Sequence, residues 1–190
     1  METEVKIRVH DAPSARNLLE RHGFAVSVER LFESNTVYDT VGGDLRCRGE
    51  LLRIRGVGPS CSATGSAGVL TFKGAAVPGK HKSRQELETT VADRLVLAAV
   101  LLRLGMAPTF RYEKYRTEYL RPQDGGIVTI DETPIGTFLE IEGAPDWIDA
   151  TAAELGFSES DYLLASYGAL YRDYCQARGM EPSHMVFPSA

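Results

Sequence analysis

The chain begins with Met1-Glu2-Thr3-Glu4-Val5-Lys6-Ile7-Arg8, in which every second residue carries a charge. Successive side chains of a β-strand point to opposite faces. The stretch therefore predicts a strand with two carboxylates and two cations on one face, and with Val5, Ile7 and Val9 on the other. One such strand is ordinary, because antiparallel sheets often have a wet side. The pattern recurs, however, in most of the later predicted strands.

The recurring charged faces contain both signs of charge in similar numbers, and apolar residues alternate with them. A face that is merely solvated would contain more Ser, Thr and Gln and fewer Arg. The cations on these faces are Lys6, Arg8, Arg53, Arg55, Lys73, Arg84, Lys114 and Arg116. The acidic residues are Glu2, Glu4, Glu86, Glu88, Glu118, Asp131, Glu140 and Glu142.

This alternation predicts an α+β fold built on a closed antiparallel β-barrel, with a charged lumen, an apolar exterior and helices packed outside. Buried charges are tolerated when they are paired or bound to a ligand. Clustered Lys and Arg suit a polyanion such as a chain of phosphates, and clustered carboxylates suit hard cations such as Mg²⁺ or Mn²⁺. The sequence thus predicts a tunnel with a phosphate subsite and a metal subsite.

Several segments outside the charged strands carry structural expectations. The helix Arg94–Leu104 is apolar nearly all round, so we expect it to be buried against the sheet. The region Ala25–Phe32 is predicted to be extended, with Val37–Thr40 a separate extended stretch. Gly56–Gly68 is rich in Gly, Ser and Ala and is predicted to be a mobile hairpin loop. Met180–Ala190 is predicted to be an irregular tail.

Composition limits the class of protein. The 190 residues, 43% of them hydrophobic, predict one domain over residues 1–178 and a C-terminal tail over 179–190. The net charge of −5 gives no support to a nucleic-acid partner. Cys47, Cys61 and Cys175 lack metal-ligand spacing, and the longest apolar run, Leu95–Leu102, is too short to span a bilayer. We therefore expect a cytoplasmic monomer or homodimer with no membrane partner.

The sequence Glu2-Thr3-Glu4-Val5-Lys6 matches the Glu-x-Glu-x-Lys signature of the CYTH superfamily, also called the triphosphate tunnel metalloenzymes. Further segments of this sequence resemble other motifs of the family and follow in the family's order. They are Tyr38-Asp39-Thr40 (with one residue missing), Leu52-Arg53-Ile54-Arg55, Thr71-Phe72-Lys73-Gly74, Arg84-Gln85-Glu86-Leu87-Glu88, Lys114-Tyr115-Arg116, Asp131, Glu140-Ile141-Glu142 and Ser166-Tyr167. The resemblance extends from Glu2 to about Tyr174. It implies a closed eight-stranded antiparallel tunnel. Family members include class IV adenylyl cyclases, thiamine triphosphatases and inorganic triphosphatases.

The resemblance also implies roles for individual residues. The implied metal ligands are Glu2, Glu4, Asp131, Glu140 and Glu142. The implied substrate-binding residues are Lys6, Arg53, Arg55, Lys73, Arg84, Lys114 and Arg116. The implied catalytic residues are Glu2, Glu4, Lys6, Lys73 and Tyr38. For two sets of residues, a second interpretation remains open. Arg84, Glu86, Glu88 and Glu118 could instead form structural ion pairs. Lys80, His81 and Lys82 could form either a lid over the tunnel mouth or a solvated basic loop.

The implied enzyme depends on Mg²⁺ or Mn²⁺ and acts on a triphosphate. We favour a phosphohydrolase of inorganic or nucleoside triphosphate, because the cyclases of the family carry a His-Phe pair before the first signature and this sequence does not. A class IV adenylyl cyclase, which converts ATP to cyclic AMP and pyrophosphate, is the alternative, since both reactions use the same polyphosphate cradle. A third possibility is a non-catalytic polyphosphate or nucleotide sensor. The acidic residues argue against it, because an anion binder needs no acidic metal site.

Overall fold

The computed structural model describes residues 1–58 and 67–188, and in that part of the chain ten β-strands form one antiparallel sheet. The strands are β1 (Glu2–Val9), β2 (Ala25–Thr40), β3 (Leu51–Gly58), β4 (Gly68–Lys73), β5 (Lys82–Arg84), β6 (Glu86–Val91), β7 (Met106–Leu120), β8 (Ile127–Thr133), β9 (Gly136–Glu142) and β10 (Tyr162–Leu163). The helices are α1 (Ala12–Arg21), α2 (Asp44–Cys47), α3 (Arg94–Arg103), α4 (Pro145–Glu154) and α5 (Tyr167–Gln176).

The order of the strands is β10-β1-β9-β8-β7-β2-β3-β4-β6, and β5 also pairs with β1. Because β5 pairs with β1 and β6 pairs with β4, the segment from Lys82 to Val91 links β1, near one end of this order, to β4, near the other. Its ladder is interrupted at Gln85, between β5 and β6. The large antiparallel sheet and the α+β class are therefore as predicted. Closure into an eight-stranded barrel is not confirmed, because hydrogen bonds do not run continuously around the sheet.

The helices α1 and α4 cover the apolar face of β1, β8 and β9, where the largest core cluster lies. Val5 and Ile7 are buried in this cluster, and full burial of such a side chain is worth about 1.5–3 kcal/mol. Glu4 and Lys6 alternate with them and point to the opposite side of the sheet, as the strand period requires. The predicted apolar exterior is thus present where these two helices pack.

Two predicted connections differ in the structure. The strand β2 runs without a break from Ala25 to Thr40, whereas the sequence suggested two separate extended stretches. Its pairing with β7 shifts register at three points, which lets one long strand bend around the site instead of ending. Of the predicted loop Gly56–Gly68, the first three residues belong to β3 and Gly68 begins β4. Residues 59–66 lie outside the described residues.

The predicted burial of the apolar helix α3 is wrong. Leu101 is buried, and Leu97 and Ala98 are partly buried against Ile54 and Leu70 of the sheet. The other large aliphatic side chains of this segment, which are Leu95, Val96, Val100, Leu102 and Leu104, are exposed. The helix contacts the sheet along one side only, and no described segment covers its outer side.

The tail after α5 folds back on the sheet. Met185 is fully buried and forms a parallel bridge with Tyr112 of β7. Its carbonyl oxygen accepts a hydrogen bond from the Glu113 amide at 2.9 Å, and its own amide donates to Arg111 at 3.0 Å. The division of the chain between residues 178 and 179 stays a prediction. Within the described residues, no helix has the length and apolar character that crossing a bilayer requires.

Candidate functional site

The inner side of the sheet encloses a cavity of about 900 Å³ that is lined mainly by charged side chains. These side chains project from alternate positions of the strands, because the other positions face the helices. The predicted site residues in the lining are Glu2, Glu4, Lys6, Tyr38, Arg53, Arg55, Lys73, Arg84, Lys114, Arg116, Glu140 and Glu142. Asp131 is fully buried and lies behind this surface.

One group of charges surrounds Glu2 at the start of β1. The Lys73 ammonium lies 2.6 Å from one Glu2 oxygen and 3.0 Å from Glu86, and Arg84 Nε lies 3.4 Å from the other Glu2 oxygen. Burial and the nearby charge of Glu4 raise the pKa of Glu2. Arg84 and Glu86, for which two interpretations were open, therefore form ion pairs and also line the cavity.

A second group surrounds Glu4 on the same strand. Lys6 Nζ lies 2.9 Å from Glu4 and 3.1 Å from Glu140, so one ammonium joins carboxylates of β1 and β9. Lys82 of β5 donates to the same Glu4 oxygen at 2.9 Å. Burial alone would raise the pKa of Glu4, but the ammonium groups of Lys6 and Lys82 lower it below its usual range. Burial and the charge of Lys6 lower the pKa of Lys82 to about 8.

A third group is organised by Asp131 behind the cavity wall. Its carboxylate accepts hydrogen bonds from Lys114 at 2.8 Å, from Arg116 at 2.7 and 2.6 Å, and from the Tyr167 hydroxyl at 2.7 Å. Arg116 also contacts Glu140. Asp131 thus holds two predicted substrate-binding cations, and its oxygens are already used by four donor atoms. These contacts favour a positioning role over the metal-ligand role that the family resemblance implies.

A fourth group contains the two arginines of β3. Arg55 lies 3.4 Å from Glu33 and 3.1 Å from Glu88, and Arg53 donates to the Tyr112 hydroxyl at 3.0 Å. Despite its burial, Glu33 has a pKa lowered to about 2, because the positive charges of Lys114 and several arginines surround it. These contacts place Glu88, for which the structural interpretation was open, in an ion pair.

Two residues of the site were not identified from the sequence. Glu33 lies between the two extended stretches that the sequence predicted within β2. Its alternation with Phe32, which would have placed it on the charged face, was therefore not considered. Lys82 was assigned to a basic loop, yet its side chain is buried and enters the cavity, whereas Lys80 and His81 bind Asp149 of α4 on the outside. The sequence contained one indication for Lys82. It lies two residues before Arg84, and residues two apart on a strand share one face.

The carboxylates of β1 and β9 are candidates for a metal site. Glu142 has no ion pair among residues 1–58 and 67–188, and desolvation together with the charges of Glu2, Glu4 and Glu140 raises its pKa to about 7. A set of carboxylate oxygens is chemically suited to Mg²⁺ or Mn²⁺. No group of three such side chains in the described residues is already arranged around one point. Lysines hold three of these carboxylates, so a cation would compete with those ammonium groups for the carboxylate oxygens.

A sequence profile of the CYTH domain matches residues 1–166 of this chain. The chain belongs to the CYTH family. A relative from Methanocaldococcus jannaschii, named a "putative adenylate cyclase", is 26% identical over 142 residues, which are 75% of this chain and 76% of the relative. The ordered motifs that begin at Glu2 are therefore those of a CYTH domain, as the sequence resemblance indicated.

Solved CYTH-like structures share this architecture. The PH1819 protein of Pyrococcus horikoshii has a TM-score of 0.76 at 24% identity, covering 92% of this chain and 99% of that one. A Hippeastrum protein described as having a dominant triphosphatase activity has a TM-score of 0.66 at 22% identity, covering 96% of this chain and 98% of that one. At these identities the likeness establishes the fold of the CYTH domain and leaves its reaction to be argued from the site.

Proposed function

We propose that this CYTH domain is a divalent-metal-dependent phosphohydrolase that acts on inorganic triphosphate or on a nucleoside triphosphate. The observation that supports this proposal is the cavity of about 900 Å³, where lysines and arginines from five strands meet the carboxylates of β1 and β9. The description of the Hippeastrum relative as a triphosphatase agrees with it. The reaction would take place inside this cavity.

The cations supply a cradle for a chain of phosphates. Arg53 and Arg55 lie two residues apart on β3, and Lys114 and Arg116 have the same spacing on β7, so each pair spans about 7 Å along its strand. Arginine and lysine are suited to several phosphoryl oxygens in a row. Glu33 and Glu88 now form ion pairs with Lys114 and Arg55. We propose that the triphosphate replaces such carboxylates as the partner of these cations.

The metal ligands in this proposal are Glu2, Glu4, Glu140 and Glu142. A bound Mg²⁺ or Mn²⁺ would neutralise phosphate charge and polarise the phosphoryl oxygens. Lys6 bridges Glu4 and Glu140, and so keeps the carboxylates of β1 and β9 close together. Further proposed roles are phosphate binding by Lys73 and Arg84, and a contact between Tyr38 on the cavity wall and the substrate or a water molecule.

The M. jannaschii relative, by its name, favours a second candidate function, the cyclisation of ATP to cyclic AMP and pyrophosphate. Cyclisation would use the same phosphate cradle, but the attacking group would be the ribose 3′-hydroxyl instead of water. A non-catalytic sensor is the third candidate. The acidic cluster on β1 and β9 argues against it, because those carboxylates repel the anion that a sensor would bind.

Product identity separates these candidates. The protein is incubated with Mg²⁺ or Mn²⁺ and either inorganic triphosphate or ATP, and the products are resolved by phosphorus NMR. Orthophosphate with pyrophosphate from triphosphate supports the hydrolase, cyclic AMP from ATP supports the cyclase, and absence of turnover with either substrate refutes both. Glu4→Gln should abolish turnover and Arg55→Ala should raise KM. Arg30→Ala, which removes a surface ion pair with Glu132, is the matched control and should change neither.

A further inference from the structure

The outer side of α3 presents a row of large aliphatic side chains to solvent. Their exposed fractions range from 47% for Val100 to 72% for Leu104, and Leu95, Val96 and Leu102 lie between these values. Together they expose the equivalent of about three whole aliphatic side chains, or roughly 300 Å². Contiguous apolar patches of this size on a soluble protein often mark interaction sites. The inner side of the helix already packs on the sheet through Leu101, so this row has no role in the packing of the described chain.

We propose that this row is a self-association surface, on which α3 of a second copy packs antiparallel about a two-fold axis near Ala99. Ala99 is exposed, and its small side chain lies among Leu95, Val96 and Leu102 on successive turns. A small residue at the crossing point lets two helix backbones approach closely. In this arrangement Val96 faces Leu102 of the second copy, and each apolar row covers the other. Two-fold dimers are the commonest oligomers and use the same patch on both subunits.

The charges at the two ends of α3 favour the antiparallel orientation. Asp93 caps the helix through its Oδ1 atom, which accepts from the amides of Leu95 and Val96, while Oδ2 accepts no hydrogen bond within the described part of the chain. Arg103, in the last turn, is exposed and forms no ion pair with any described residue. Antiparallel packing brings Arg103 of one copy to the N-terminal end of the other helix, close to its Asp93. The helix dipoles are then also opposed, which is favourable.

The charge of the patch fits a second copy better than a membrane, and its size fits a weak dimer. The apolar row is less than half of the roughly 800 Å² per partner that a standard interface buries, so we expect a dissociation constant in the micromolar range. The helix contains only two cations, Arg94 and Arg103, and the net charge of the whole chain is −5. Helices that lie on anionic membranes have a strongly basic polar face, and α3 has none. This inference does not depend on the proposed activity.

Sedimentation velocity over about 1–200 μM protein tests the proposal. We expect the wild type to shift from monomer to dimer across this range, and Val96→Glu to remain monomeric throughout. The matched control is Met180→Glu, which places the same charge on an apolar side chain that is 50% exposed and lies outside α3. It should dimerise like the wild type. A wild type that stays monomeric, or a Val96→Glu variant that still dimerises, overturns the proposal. If the monomeric wild type also bound phosphatidylcholine vesicles, this side of α3 would be assigned to a membrane instead.

Cysteine cross-linking tests the orientation, in a background with Cys47→Ser and Cys61→Ser. Two Ala99→Cys side chains at the two-fold axis would lie within disulfide range, which is a Cα separation of about 4.4–6.8 Å. Two Arg103→Cys residues would be offset by eight residues, or about 12 Å along the helices. We expect the first variant to form a disulfide-linked dimer under mild oxidation, and the second to remain unlinked. Equal cross-linking of both variants, or none of Ala99→Cys, overturns the antiparallel arrangement.

Discussion

Replacing Asp131 by asparagine should destabilise the protein strongly, although the two side chains have nearly the same shape. The Asp131 carboxylate is fully buried and compensates two cations, Lys114 and Arg116, while also accepting a hydrogen bond from Tyr167. The Asp131→Asn variant would leave these cations short of one negative charge and would turn an amide N–H₂ towards donors. Removing one partner of a buried ion pair costs about 3–5 kcal/mol. For a protein of this size, that loss lowers the melting temperature by roughly 6–20 °C.

Urea unfolding, followed by the fluorescence of Trp147, the single tryptophan, measures this loss. The control Asp124→Asn removes a carboxylate from the more exposed pair with Arg121, and should cost less than about 1 kcal/mol. Tyr167→Phe removes one hydrogen bond to the charged group and should cost about 1.5–3 kcal/mol. If Asp131→Asn loses no more free energy of unfolding than Asp124→Asn does, the assignment of Asp131 as the compensating charge is refuted.

A positioning role predicts more than lost stability. Leu139→Ala, on the apolar face of β9, should also cost about 2–5 kcal/mol, because it leaves a cavity in the core. Triphosphate affinity, measured by calorimetry at a temperature where both variants are folded, should fall in Asp131→Asn and remain unchanged in Leu139→Ala. Equal affinities in the two variants would mean that Asp131 supports the fold without orienting Lys114 and Arg116.

Three further outcomes follow from the site and its surroundings. Lys82→Gln removes an ammonium group that competes with a metal ion for the Glu4 carboxylate. Calorimetry should therefore show Mn²⁺ binding that is tighter by about tenfold, the equivalent of one charge-assisted hydrogen bond. Unchanged or weaker Mn²⁺ binding would contradict this competition. Glu142 has a pKa of about 7 in the folded protein against 4.5 ordinarily, so its ionisation opposes folding as the pH rises through that window. Glu142→Gln, studied in EDTA, should therefore raise the free energy of unfolding at pH 8 and have little effect at pH 5; the reverse order would exclude a raised pKa. A Cβ on Gly126 would overlap the Trp147 ring, so Gly126→Ala should cost about 1–3 kcal/mol and shift the tryptophan emission. Unchanged emission would show that the ring does not pack there.

For β1, the sequence determined by itself which side chains face the site. The strand β1 spans Glu2–Val9, the same residues that the alternation predicted, with Val5 and Ile7 under the helices and Glu4 and Lys6 in the cavity. This could be predicted because alternation has a period of two and is a local property of an extended backbone. The ordered motifs added the family, since each of them is a short local stretch of sequence.

Only the tertiary structure decided which charge meets which. Lys73 binds Glu2 across 71 positions of sequence, and Lys82 binds Glu4 across 78. These pairs depend on the register between strands that are distant in the chain, which no local pattern encodes. The same limit applies to Asp131, for which the family resemblance implied a metal-ligand role and whose position surrounds its carboxylate with four donor atoms. It applies also to α3, because hydrophobicity shows that a helix prefers apolar surroundings but does not say whether its own chain supplies them.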